Sequence, residues 1–566
     1  MRYDEEKETL TLVFGDPLPV GEAELEIHFA GELSEGMRGF YRTSFLLDGV
    51  VQRGAATQFE ATDARRAFPC FDQPDMKARF KIALSVPSDL VALSNMPVVS
   101  EDMLDDGRKI VEFEETPPMS TYYLAFVIGN FEHIAGADKN GVPIRVWTTP
   151  GKQEWARFAL ECATHTLPYY ADKYNIPYPL PKVDMIGLPD FEAGAMENWG
   201  LVTYRETALL IDPANNSVLA RKRVAETVDH EIGHFWKGDL TTMKWWDDLW
   251  LNEGFATWLA TYAMDHQFPE WDVWTDFVEE NLGYALEEDS LRSSKAIQVH
   301  IENPGEINEA FGAIAYSKGA CVIRMIHAAL GDEVFFKALN LFMERHQYGN
   351  AETNDLWNVF EEVSSMPVGQ MMRGFTERPG FPVVSVVLAT DADTHTLHIT
   401  QKRFFADGGE DTDGLLWEVP ITVRLQDGMT VSTTLTGPST VLAISDPGDG
   451  WIKVNPGHTG YYRIAYSEEL QQRLNKGVAD GSLADVDCIG MLSDNVALAE
   501  AGYIPTPQLL ESFAAYKKKD HYLVWQTISA SLGTISNILH QHTRDTHLQK
   551  QHRSLIARFG RSLFGD

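Results

Sequence analysis

His230 and His234 stand four residues apart in "HEIGHFW", and Glu253 follows with eighteen residues between. Few features restrict a backbone as tightly. Residues four apart share a face on an α-helix, so the two imidazoles converge only if this segment is helical. At about 100° per residue, Val224, Val228, Ile232 and Phe235 fall within about 80° of one another and form an apolar stripe. His230 and His234 fall at about 240° and 280° on the same wheel, on a separate face, and Glu231 at about 340°, between the two. The spacing is that of H-E-x-x-H, in which two imidazoles bind Zn²⁺ and the intervening glutamate reaches a water on the metal. Alone it also describes two satisfied core histidines. Glu253 argues against that reading. It lies in a second helical pattern, "LWLNEGFATWL", and a carboxylate returning from the next helix completes a His₂Glu set with one position left open for water.

The rest of the chain is too long for one core. Its 566 residues predict three or four domains. Residues 1–134 read as β: "AELEIHFAGEL", "ARFKIALSVP" and "KIVEFEETPP" alternate apolar and polar residues, and "STYYLAFVIGNFEHI" reads as a longer, doubly buried strand. Residues 135–380 begin with a short strand, "GVPIRVWTT", and turn helical through "VLARKRVAETVDHEIGHFW", "GFATWLATYAMDHQF", "AIAYSKGACVIRMIHAAL" and "DEVFFKALNLFMERH". Alternation returns over 381–465, read as a small β-sandwich, and 466–566 is helical again. The predicted class is multidomain α+β.

Composition removes several functions. The net charge of −35 repels phosphate backbones and anionic lipid, so no nucleic-acid or membrane partner is expected. Cys70, Cys162, Cys321 and Cys488 are scattered and form no C-x-x-C pair, so neither a disulfide framework nor a thiolate metal site is indicated. "MRYDEEKETL" has no apolar core of a signal peptide, and no apolar run reaches bilayer length. Together these give a cytoplasmic expectation.

Three further stretches carry candidate residues. "DFEAGAMENWG" brackets Glu197 with glycines, which suits a backbone passing close to a ligand, with the carboxylate as a cation anchor. "TQFEATDARRAFPCFDQP" offers Glu60 as a second carboxylate. "AIAYSKGA" offers Tyr316, a phenol able to donate to a developing oxyanion beside a metal. In isolation each reads equally as a turn, a charged loop or a structural tyrosine.

Taken together, "GAMEN", H-E-x-x-H and the spaced glutamate resemble the gluzincin aminopeptidases of the aminopeptidase N and puromycin-sensitive group. "QFEATDARRAFPCFDQP", "YNIPYPLPKVDMIGLPDFEAGAMENWGL", "DSLRSSKAIQV", "YSKGA" and "WIKVNPGHTGYYR" extend the resemblance over the whole chain, and "DSLRSS" is most similar to the cytosolic branch. The resemblance implies an N-terminal β-domain (1–134, incomplete), a thermolysin-like zinc domain (135–380), a β-sandwich (381–465) and part of a C-terminal helical domain (466–566). It implies one Zn²⁺ on His230, His234 and Glu253, Glu231 as general base, and Tyr316 as the transition-state tyrosine. It implies that Glu197 and Glu60, with Gln58 nearby, bind the free α-amine, and that the Gly194, Ala195 and Met196 backbone contacts the substrate. The implied substrates are peptides with a free N-terminus.

The sequence also departs from that family. "HEIGHFWKGDL" stands where H-E-L-A-H-Q-W-F-G-N is usual, placing Gly233 inside the helix, at a cost of up to about 1 kcal/mol relative to alanine. It also brings Lys237 and Asp239 close to the site, with Asp229 just before His230. The lysine is expected to lower the local negative potential and the aspartates to raise it. The opening strands and the end of the helical domain are expected to be missing, leaving room for a partner that supplies C-terminal helices. These departures leave a second function open, a weakly active or inactive truncated homologue that binds peptides or partners; a third, a zinc hydrolase acting on a non-peptide, is implied by one branch of the wider group that opens an epoxide.

Overall fold

The computed structural model describes residues 1–5, 7–391, 394–542, 550 and 554. The expected helical stretch beyond residue 542 otherwise lies outside the described residues. The chain divides into two compact units. The first comprises Met1–Pro269, Gln298–Ala315 and Asp332–Met366. The second comprises Glu270–Ile297, Tyr316–Gly331 and Pro367–Asp566.

The first unit opens with β-structure. Strands β1 (Gly39–Leu47), β2 (Val50–Gln58), β3 (Val91–Ser94) and β4 (Phe126–Gly129) form an antiparallel sheet in the order β1-β2-β4-β3. Two expectations fail here. "AELEIHFAGEL" forms no strand: Leu25 and Phe29 are exposed, and no ladder partner lies beside them among the described residues. Alternation marks a pleated surface, but without a neighbour the backbone groups have nothing to pair with. "STYYLAFVIGNFEHI" is not one strand either. It divides into a 3₁₀ turn at Thr121–Tyr123, β4, and β5 (Glu132–Ala137), which pairs in a different sheet. Its apolar run is continuous because the turn and β4 are both largely buried, which periodicity does not distinguish from one long strand, whereas β5 is mostly exposed.

That second sheet positions the candidate site. It holds β5, β6 (Pro143–Thr148), β7 (Val183–Leu188), β8 (Ala195–Met196) and β9 (Leu201–Arg205), in the order β5-β6-β7-β9-β8. β6, β7 and β9 run parallel, and β7 is buried along its whole length, as a central parallel strand covered on both faces should be. The two-residue β8 lies antiparallel to β9 at the edge, pairing Ala195 with Tyr204 and Met196 with Thr203. Three helices matter most: α1 (Arg157–Tyr174), α2 (Val218–His234) and α3 (Trp250–Gln267). Ser217 starts α2 by accepting from the Ala220 N–H at 3.1 Å, satisfying an orphan donor of the first turn. The α2 stripe of Val224, Val228 and Ile232 is fully buried, as the helical wheel requires.

The second unit pairs sheets with helices. Pro382–Asp391 and Thr394–Arg403 form a long antiparallel hairpin, flanked by Ser439–Ile444 on one side and Arg463–Tyr466 on the other. A three-stranded sheet has Val419–Leu425 at its centre. Helices Glu468–Asp480, Asp485–Glu500, Thr506–Phe513 and Tyr522–His542 follow, with Leu474, Ile489, Leu492, Phe513 and Val524 in one core. The fold is multidomain α+β. Among the described residues, no helix is long and apolar enough to cross a membrane.

Candidate metal and substrate site

α2 and α3 bring three ligand-type atoms to one point. His230 Nε2 and His234 Nε2 are 3.0 Å apart, and Glu253 Oε2 lies 3.3 Å and 3.4 Å from them. Ligands bound tetrahedrally to Zn²⁺ at about 2.0–2.2 Å are separated by about 3.3–3.6 Å; both Glu253 separations match, the histidine pair stands slightly closer, and the donor set fits the ion in type. His234 Nδ1 faces the Lys237 carbonyl at 3.1 Å. With its proton on Nδ1, the ring donates there and turns the Nε2 lone pair toward the shared point, as a metal-binding histidine requires.

The turn after α2 makes that contact. Gly238 has φ of +152°. A Cβ there would stand 3.1 Å from His234 Nδ1 and 3.2 Å from the Tyr123 hydroxyl. Glycine is needed both for the backbone angle and for the space. On the α3 side, Asp248 anchors the helix start by accepting from the Thr353 N–H and hydroxyl at 3.1 and 2.6 Å.

A wall of carboxylates adjoins the three ligands. Glu60, just after β2, and Glu197, just after β8, each bring an oxygen within 4.8 Å of a Glu253 oxygen and of each other. Glu197 is 3% exposed. One oxygen each of Glu60, Glu197 and Glu231 is buried without a hydrogen-bond partner, as is Gln58 Oε1. The electrostatics follow from burial and crowding. Burial, then Glu197 and Glu253, push Glu60 well up. Burial and Glu197 do the same to Glu231. Glu197 is pushed up to about 7 by burial, with His234 opposing and Glu253 adding. For Glu253, burial acts upward, but the two imidazoles outweigh it and hold the carboxyl at about 2. Burial depresses His230, whereas at His234 burial is overcome by Glu197 and Glu253 and the ring is held well above its usual range. A buried site with this much negative potential suits a cation.

The remaining candidates have these positions. Gly194 O accepts from the Arg205 N–H at 2.9 Å, Ala195 is half-buried and Met196 buried, all at the sheet edge. Tyr316 falls in the second unit, on the short π-helical segment Ile314–Lys318. Sequence reasoning missed the polar layer beside the ligands. Asn252 Nδ2 donates toward the Tyr122 and Tyr123 hydroxyls at 3.3 and 3.2 Å, and those hydroxyls bond each other. Asn252 is adjacent to Glu253, and that adjacency was the only available signal.

A profile of the Peptidase family M1 domain matches residues 158–375, one of the Peptidase M1 N-terminal domain matches 1–123, and one of the ERAP1-like C-terminal domain matches 451–565. The chain is 44% identical over 545 residues to Aminopeptidase M1-A of Oryza sativa subsp. japonica, covering 94% of this chain and 61% of the relative. It is 40% identical over 550 residues to the puromycin-sensitive aminopeptidase of Caenorhabditis elegans, covering 96% and 58%. The chain carries peptidase family M1 domains. It spans about three fifths of the length of the curated relatives it matches.

The unusual positions of this M1 chain resolve differently from the electrostatic expectation. Lys237 is buried, with Nζ 4.1 and 4.0 Å from the ring centres of Phe255 and Phe342, and burial drives its pKa well down. Asp229 accepts from the Thr166 hydroxyl at 2.6 Å, and burial pushes its carboxyl well up. Asp239 is buried with neither carboxylate oxygen partnered, and burial and then Glu197 push it up. Nearby, Lys77 donates to the Asp239 carbonyl at 3.3 Å, and burial lowers it to about 7. All three substituted positions are driven toward their neutral forms, so they shift the local potential far less than their formal charges suggest. Gly233 packs 3.4 Å from Leu259 at the closest, an ordinary contact for an added methyl.

Proposed function

We propose that this chain is a zinc-dependent aminopeptidase that removes the N-terminal residue of peptides by water attack. The observation that carries the reading is the convergence of His230, His234 and Glu253, with donor atoms 3.0–3.4 Å apart, against a wall of underbonded carboxylates. His230, His234 and Glu253 would hold the ion. When bound there, Zn²⁺ supplies Lewis acidity, polarising a carbonyl and acidifying water.

The chain's own residues do the rest. Glu231, whose environment raises its basicity, takes a proton from the attacking water at its carboxylate. The water oxygen bonds to the scissile carbonyl carbon, the C–N bond breaks, and Glu231 returns the proton to the leaving amine. Tyr316 is assigned the hydrogen bond to the oxyanion. Glu197 and Glu60, with Gln58 beside them, receive the protonated N-terminus. Fixing that end leaves the first peptide bond, and no later one, over the ligands. The edge strand β8, with Gly194–Met196, offers main-chain groups to an extended substrate. The four-part division at 134, 380 and 465 belongs to the same reading. So does a cytoplasmic setting, consistent with four free cysteines.

The test is release of arylamine from aminoacyl-arylamides by the purified chain, before and after chelation and zinc return. Turnover lost on chelation and restored by about one zinc per chain is expected. Folded, zinc-loaded chain without turnover refutes the reading.

A further inference from the structure

We infer that the buried ion pair of Lys318 and Asp289, with Ser317 tied to Asn281 as a second anchor, is the clamp that positions the Tyr316 phenol, given the oxyanion role assigned to Tyr316 above. Tyr316 lies on a turn that needs holding. Ile314–Lys318 is a single π-helical turn, a rare form that recurs at functional sites. The chain before it gives little support: Gly312 is exposed, and Ala313 and Ile314 are only half-buried. Support comes from the other side. Tyr316 itself is half-buried, whereas every residue from Ser317 through Ile326 is buried.

Two consecutive side chains after the tyrosine fix the turn. The Ser317 hydroxyl donates to Asn281 Oδ1 at 3.2 Å, and Asn281 belongs to a second π-helical turn, Val278–Gly283. Lys318 Nζ lies 2.8 Å from Asp289 Oδ2 with neither side chain exposed, and it also donates to the Arg378 carbonyl at 3.3 Å. Asp289 is held in turn. It accepts from the Gly380 N–H at 2.7 Å, from the Tyr461 hydroxyl at 3.1 Å and from the Ser294 hydroxyl. All these residues belong to the unit that carries Tyr316. A buried ion pair offsets its desolvation only at close, well-bonded geometry, so it adds little stability but tolerates little displacement. That property suits an oxyanion donor. The phenol must stand where charge develops, and a misplacement of about 1 Å can lower a rate on the order of 10²-fold. Lys318 and Asp289 are therefore positioning residues, acting through Tyr316.

The test uses the zinc-loaded full chain with two readouts: turnover of an aminoacyl-arylamide, and the ¹⁹F resonance of 3-fluorotyrosine placed at position 316. Lys318→Met should lower kcat by about tenfold or more, leave KM within about twofold and retain the zinc. In a Tyr316→Phe background the same substitution should change kcat by less than about twofold, because the phenol it positions is gone. The fluorine should give one resonance in the wild-type chain, and Lys318→Met should shift or broaden it. A merely structural role predicts the same kcat loss with and without the phenol, and that result overturns the clamp. So does an unchanged resonance in folded Lys318→Met. Should Lys318→Met fail to fold, Ser317→Ala removes only one hydroxyl and decides by the same two readouts, with a kcat loss of about threefold expected. A Tyr316→Phe chain with full kcat refutes the oxyanion assignment instead, and the fluorine resonance then still decides whether the pair holds the ring.

Discussion

Two regions of the molecule, the surroundings of Asp289 and the carboxylates beside Glu253, bury charge in opposite ways. In the second unit, the fully buried Asp289 is saturated: Lys318 Nζ lies 2.8 Å from Oδ2, the Tyr461 hydroxyl donates to the same oxygen at 3.1 Å, and the Gly380 N–H donates to Oδ1 at 2.7 Å. Lys453 is treated alike, donating to the Val454 and Asn455 carbonyls at 2.7 and 3.0 Å. In the first unit, Glu60, Glu197 and Glu231 each keep a buried oxygen with no donor. Saturated burial holds a fold together, because every charge has its counter-group within the chain. Underbonded burial stores potential for something the chain does not contain.

Four substitutions test that contrast, taken from the largest effect to the smallest. Glu231→Gln should lower kcat by about 10²–10⁴, the range expected for losing a general base, while zinc content stays unchanged. Loss of zinc together with kcat would assign Glu231 to the ligand set instead. Asp289→Ala should destabilise its unit by about 3–5 kcal/mol in urea unfolding, because Lys318 is left buried and unpaired. A loss below about 1 kcal/mol would end its structural role.

The third concerns pH in the metal-stripped chain. The Glu197 carboxyl rises from 4.5 to about 7 in the fold. Between those values the folded chain holds a proton that the unfolded chain has released, so stability falls as pH rises through the window. The effect is on the order of 3 kcal/mol. Glu197→Gln should flatten that part of the stability profile. An unchanged slope would show that Glu197 is not the group responsible. Last, Gly233→Ala should raise stability by up to about 1 kcal/mol, since the added methyl meets only Leu259 and Ala256 at ordinary contact distance. A lower melting temperature would show that the two helices need the closer approach.

The ligand helix was legible because its evidence is local. The spacing of His230 and His234 and the stripe of Val224, Val228 and Ile232 both follow from one helical period, and α2 carries them as that period requires. Glu253 was legible because α3 is the next long helix, beginning at Trp250 after α2 ends at His234. Strand assignment fared worse where it depended on distant partners. "AELEIHFAGEL" alternates correctly and still pairs with nothing, and the apolar run through residues 120–134 hides a change of sheet. The charges at Asp229, Lys237 and Asp239 were misjudged for a related reason. Their sign is written in the sequence, but their burial is set by Phe255, Phe342 and Thr166, which lie far along the chain.

The partner of His234 Nδ1 also bears on how this family tolerates change. It is the carbonyl of residue 237, a main-chain atom present whatever side chain stands there. Drift at position 237 therefore leaves the metal ligand's tautomer untouched, and a lysine is accepted where an aromatic is usual. The genetic constraint moves one residue on, to Gly238, the position that must stay small for the loop to close against the ring. A saturation library across 237 and 238 would read as a site limited by the space between Phe255 and Phe342 beside one limited to glycine.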